Sequence, residues 1–160
     1  MRKQKGFSLI ELLIVVAIIL IIAAIAIPNL MRSKMAANQA SAVASTRTLV
    51  TAEATYNSSY GIYTGTLGDL GPAPSTGATS TAAGLIDSVL ATANTGNGKS
   101  GYLFTLGGGG AGFTVQTKPV SVSTGNITYC TDESGVIRFE NGATATCVLT
   151  GATPSAPLAN

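Results

Sequence analysis

From Leu12 to Ile27 the chain carries sixteen consecutive apolar residues, and this run constrains the fold more than anything else in the sequence. Counting outward from Phe7 to Met31 gives twenty-five positions interrupted only by Ser8, Glu11, Pro28 and Asn29. A helix of about 20 apolar residues crosses a bilayer's hydrocarbon core, so the stretch is long enough to do so. Arg2, Lys3 and Lys5 precede it, and a positive flank is expected to stay on the cytoplasmic side. A cleaved secretory signal has an apolar region of about 7–15 residues. Here the run is longer and continues into helix-favouring sequence. Neither that reading nor an ordinary single-pass anchor accounts for Glu11. A carboxylate inside a membrane helix costs about 2.5–3.5 kcal/mol at the centre and less near the interface, so it calls for a partner.

Only 10% of the residues are charged, and the formal net charge is +2. Without the first six residues, six cations face seven acids, a side-chain balance of −1. No clustered Lys/Arg surface remains for nucleic acid. The chain has no histidine, which excludes a Ser-His-Asp triad and any His-ligated metal site. Gly107–Gly110 lacks the Lys-Ser/Thr ending of a phosphate loop. Asp132 and Glu133 offer two carboxylates where calcium takes six to eight oxygens, so they read as a solvated turn. No catalytic centre, cofactor or metal is expected, and the chain does not read as an enzyme.

Helical sequence continues past Pro28. Asn29–Asn57 contains no Gly or Pro, and Met35, Ala36, Ala40, Val43, Ala44, Leu49, Val50 and Ala54 recur near the helical period, with Tyr56 extending the region. Pro28 removes the hydrogen bond to the Ala24 carbonyl and is expected to kink the helix. A helix from Phe7 to Ser58 would be roughly 78 Å long. Tyr60–Gly77 reads as a long loop anchored by Tyr60, Tyr63, Leu67 and Leu70. Thr79–Asn94 has the pattern of a short amphipathic helix begun by a Ser/Thr cap. Strands are expected at Tyr102–Leu106, Phe113–Lys118, Ile127–Thr131, Val136–Glu140 and Ala145–Leu149. Gly107–Gly112 would be a flexible hairpin connection, Asp132–Gly135 a tight turn, and Asn141-Gly142 is the strongest hairpin signal in the chain. The tail from Thr153 to Asn160 is expected to be poorly ordered. These elements make an α+β fold: a long N-terminal helix with an apolar half protruding, its other half packed on an antiparallel meander. In an exported protein Cys130 and Cys147 would form a disulfide.

KGFSLIELLIVVAII resembles the class III signal of type IV prepilins and type II secretion pseudopilins. A short basic leader, Gly6, aromatic Phe7 and Glu11 four residues later carry the likeness, and Pro28 falls where the family has a helix-kinking proline. The close match covers roughly residues 1–60. Cleavage after Gly6 would free an amine on Phe7, four residues before Glu11, to neutralise that carboxylate in its own chain or a neighbouring one. The resemblance implies that a prepilin peptidase makes this cut, that the Phe7 amine is methylated, and that Glu11 is the assembly carboxylate facing the N-terminus of the adjacent subunit. It implies a leader at 1–6, a membrane and filament-core half-helix at 7–31, an amphipathic half at 32–58 and a globular head at 59–160. The partners would be further copies in a helical filament, the inner membrane before assembly, the peptidase and the pilus assembly machinery. The filament would lie at the cell surface. A pseudopilin of a periplasmic secretion filament is the alternative. A membrane-tethered binding module that never polymerises is a third reading, with Asn57-Ser58-Ser59 and Asn126-Ile127-Thr128 as its only Asn-x-Ser/Thr motifs.

Overall fold

A computed structural model describes residues 6–149 and 154–158. The chain divides into two compact units, Met1–Lys34 and Met35–Asn160. Helix α1, Leu9–Tyr60, runs through both and includes Pro28. Within the first unit the large apolar side chains from Leu9 to Met31 are 46–80% exposed, and the helix is long and apolar enough to cross a membrane. Met1–Lys5 lie outside the described residues.

The second unit is built on an antiparallel sheet in simple sequential order: β1 Tyr102–Gly109, β2 Gly112–Pro119, β3 Ile127–Asp132, β4 Arg138–Asn141 and β5 Ala156–Pro157. Tyr102, Phe104, Leu106, Phe113 and Val115 are inward residues of the first hairpin, alternating with half-buried or exposed neighbours as a one-sided sheet requires. They share one core with Ala42, Leu49, Ala52 and Tyr56 of α1 and with Leu67, Leu70 and Leu90 from the intervening segment. A long helix followed by an antiparallel sheet is the α+β architecture expected from the sequence.

Several elements differ from expectation, each for a local reason. The buried face of α1 is Ala42, Ser45, Thr46, Leu49, Ala52, Glu53 and Tyr56, whereas Ala36, Ala40, Ala44 and Ala54 are exposed. A stripe drawn through apolar residues alone misplaces this face, because three of its members are polar. Thr46 shows how they are accommodated: its hydroxyl donates to the Ala42 carbonyl and lies 2.9 Å from the Thr117 hydroxyl on β2.

The expected helix at Thr79–Asn94 is reduced to α3, Ser88–Ala91, capped by the Asp87 carboxylate accepting from Leu90 N–H rather than by Ser or Thr. The preceding amides are already taken: Ala83 donates to Asp69 O, Gly84 to Gly71 O, and Leu85 and Ile86 to Leu70 O. Those carbonyls lie in and just after the short helix α2, Leu67–Leu70, which forms within the expected loop. Gly84 sits at φ +71°, a left-handed conformation that ends any helix there. Between α2 and α3 the chain makes an exposed excursion from Pro72 to Thr81 whose tip turns through a Gly77 N–H to Pro74 O bond. Its return limb is tied down by the Tyr56 hydroxyl donating to Ser80 O.

Gly107–Gly109 and Gly112 belong to β1 and β2 rather than to a flexible connection, and Gly109 pairs with Gly112 across a two-residue turn. Small residues are needed because Tyr63 pairs with Gly110, and a side chain at nearby Gly65 would collide with Gly108 O. The Asp132–Gly135 turn closes with Gly135 N–H to Asp132 O.

No strand forms at Ala145–Leu149, and Asn141-Gly142 does not start a hairpin. Gly142 instead donates to Asn126 O and accepts from the Thr128 hydroxyl, which turns the chain back along β3. Cys147 is then bonded to Cys130 on β3, with the Cα atoms 5.7 Å apart. The fifth strand comes from the tail: Ala156–Pro157 pairs with β4, Leu158 N–H reaches Ile137 O, and buried Ser155 binds Val148 and Glu140. Residues 154–158 are therefore stitched to the sheet rather than loose, and 150–153 and 159–160 lie outside the described residues.

Candidate processing and assembly site

The start of α1 gathers the sequence-singled residues Gly6, Phe7 and Glu11. Leu12 N–H donates to Ser8 O at 3.3 Å, the first helical bond. Ser8 therefore stands at the N-cap and Glu11 at the third helical position. The Glu11 carboxylate reaches back to accept from Ser8 N–H at 2.9 Å. This is the acidic half of a capping box, S-x-x-E, in which the side chain satisfies a backbone donor that the helix leaves free. A carboxylate in the first turn is also favoured by the helix dipole. Glu11 thus has a partner within its own first turn besides any amine, and Ser8-Leu9-Ile10-Glu11 spells the motif.

Phe7 is 84% exposed, and Gly6 is exposed as well. A side chain built at Gly6 would meet nothing within 4 Å among the described residues. Packing among the described residues does not explain a glycine there. Farther along, Pro28 sits inside α1, and the Ser33 hydroxyl donates to Asn29 O.

A second carboxylate, Glu53, stands out in the sequence only as one acid among seven. It is fully buried on the inner face of α1. One oxygen accepts from Thr64 N–H at 3.1 Å, and the other, Oε1, has no hydrogen-bond partner. The Thr64 hydroxyl in turn donates to Asp69. Burial pushes the Glu53 carboxyl up to about 7; the Thr64 amide opposes this and the nearby Asp69 charge adds to it. Its place was legible in one respect, since Leu49, Glu53 and Tyr56 follow the i, i+4, i+7 spacing of one helical face. Among the described residues no group of three or more His, Cys, Asp or Glu side chains could hold a metal ion.

Residues 1–27 match the prokaryotic N-terminal methylation motif. The chain is 41% identical over 75 residues to the type IV major pilin protein PilA of Myxococcus xanthus, covering 47% of this chain and 34% of that protein. It is 63% identical over 38 residues to the type IV wide pilus major component PilA4 of Thermus thermophilus, covering 24% of this chain and 29% of that protein. The chain thus aligns with about a third of the length of these relatives.

Proposed function

We propose that this chain is the precursor of a structural subunit of a type IV pilus-like surface filament, held in the inner membrane by α1 before assembly. The observation that carries the reading is the methylation motif at residues 1–27, with Gly6, Phe7 and Glu11 in register at an exposed helix start. A prepilin peptidase cuts between Gly6 and Phe7, and the Phe7 amine is methylated. An exposed Gly6 with open space around it suits a residue read by an enzyme. Cleavage places a cationic amine next to Glu11, which is otherwise engaged by one backbone amide. Glu11 then answers to the amine of a neighbouring copy as well as to its own chain, and burial of the acid in the filament depends on that pairing.

The exposed apolar surface from Leu9 to Met31 passes from lipid to the apolar surfaces of other copies. Pro28, which leaves the Ala24 carbonyl without its helical donor, is the point at which α1 loosens as the copy enters the filament. The Cys130–Cys147 bond suits an oxidising, exported setting. The work of the chain is structural rather than catalytic. Mass spectrometry of sheared surface fibres tests the proposal. Fibres built from chains that begin at N-methylated Phe7 support it, and a full-length, unmethylated chain found only as a membrane monomer refutes it.

A further inference from the structure

Two cations stand at the far end of the apolar helix segment. Between Glu11 and Arg32 lie twenty residues without an ionisable side chain, all within α1. At 1.5 Å per residue they measure about 30 Å, the thickness of a bilayer's hydrocarbon core. Arg32 and Lys34 follow at once, and both are exposed. Neither has an acid at its helical neighbours three or four positions away, and the next acid along the chain after Glu11 is Glu53. Among the described residues the ion pair that forms is Lys99–Asp87. Arg32 and Lys34 are two positions apart, so at 3.6 residues per turn they leave the helix about 200° apart, on opposite sides. A docking patch for one protein partner would need both on one face. A plane of anions surrounding the helix is met better by charges on both sides. Long Lys and Arg stems also let the charge reach the interface while the stem stays in apolar surroundings.

We infer that Arg32 and Lys34 form a phosphate-binding collar for the lipid headgroups of the leaflet away from the basic leader, fixing how deep the stored subunit sits. The inference rests on the membrane-held precursor proposed above. Glu11 then lies at one interface and the collar at the other, so the acid is spared the cost of the bilayer centre. Pro28 and Asn29 are held within about one turn below the headgroups, on the hydrocarbon side.

The test uses the full chain carrying L30W as a depth reporter, since the protein has no tryptophan. It is reconstituted in phosphatidylethanolamine/phosphatidylglycerol vesicles and, separately, in vesicles of phosphate-free digalactosyl lipid, each doped with lipids brominated at graded depths. In phospholipid, R32Q/K34Q should shift the reporter by about one helical turn, ~5 Å, while R32K/K34R should hold it in place. Replacing phospholipid by galactolipid should move the reporter of the parent and leave that of R32Q/K34Q unchanged. An inserted chain whose depth ignores both the substitutions and the lipid overturns the collar alone. So does a double variant of unchanged depth that is impaired only in fibre formation, because the cations would then serve a neighbouring protein. A chain removed from the vesicles by alkaline carbonate overturns the membrane-held precursor itself, and the collar with it.

Discussion

Replacing Glu53 by glutamine should remove the fall in the second unit's stability between about pH 4.5 and 7, and so reverse the stability order of the two proteins across that range. In the folded chain the Glu53 carboxyl is pushed from 4.5 to about 7, chiefly by burial. A raised folded value means that the folded state holds a proton which the unfolded state has released across the window from about pH 4.5 to 7. Stability therefore falls as pH rises through that window and levels off above it. Two and a half units at about 1.4 kcal/mol each give a loss of about 3 kcal/mol. For a unit of this size that corresponds to a melting temperature lower by roughly 10 °C. Glutamine keeps an acceptor for Thr64 N–H and cannot ionise, but its amide inherits the unpartnered position of Oε1. A buried unpaired donor costs about 1–3 kcal/mol. The variant should therefore be less stable than wild type at pH 5 and more stable at pH 8. All five tyrosines (Tyr56, Tyr60, Tyr63, Tyr102 and Tyr129) belong to the second unit, and the chain has no tryptophan. Near-ultraviolet circular dichroism of the detergent-solubilised chain thus reports that unit without interference from the apolar segment. Asp87, held low by Lys99 and the Leu90 amide, behaves alike in both proteins and cancels in the comparison. Parallel melting curves for wild type and E53Q between pH 5 and 8 would refute the reasoning.

The capping role of Glu11 can be separated from the assembly role proposed for it. E11Q preserves the capping acceptor and removes the charge, while E11A removes both. Both should abolish fibres counted by electron microscopy, and normal fibres from E11Q would show that capping suffices. Removing the Cys130–Cys147 link through C130A/C147A should cost about 3 kcal/mol by the loop-entropy account for a separation of 17 residues, measured by denaturant unfolding. An unchanged midpoint would mean that β5 and the Ser155 bonds hold the terminal segment alone. T46V should cost about 1–3 kcal/mol by leaving the buried Thr117 hydroxyl without its partner. T46V/T117V should cost less than the sum of the two single changes, because both partners then leave together. Strict additivity in a double-mutant cycle would show that the two hydroxyls do not interact.

The parts of this fold written locally could be read from the chain. The apolar run, the helix beyond it, and four of the strands with their β-branched and aromatic residues need no distant partner to be recognised. The register of Gly6, Phe7 and Glu11 was equally visible. What escaped depends on contacts between segments far apart in sequence. The Thr79–Asn94 pattern is helical in its side chains, but its amides are claimed by carbonyls of Asp69–Gly71. Ala145–Leu149 looks like a strand, yet the disulfide and the Val148–Ser155 bonds set its course and leave the place beside β4 to Ala156–Pro157. The buried face of α1 is not an apolar stripe, because Thr46 is accommodated there by the Thr117 hydroxyl on β2 and Glu53 by the Thr64 amide.

The way the terminal residues are stitched to β4 bears on how the molecule can be labelled. A foreign epitope or dye attached behind Leu158 would load a strand of only two residues and the Ser155 bonds that anchor it. The exposed tip around Gly77 is bounded by the Pro74 turn on one side and the Tyr56–Ser80 tether on the other, so an inserted peptide there is isolated from the sheet. That tip, rather than the segment behind Leu158, is the place to display cargo on this chain.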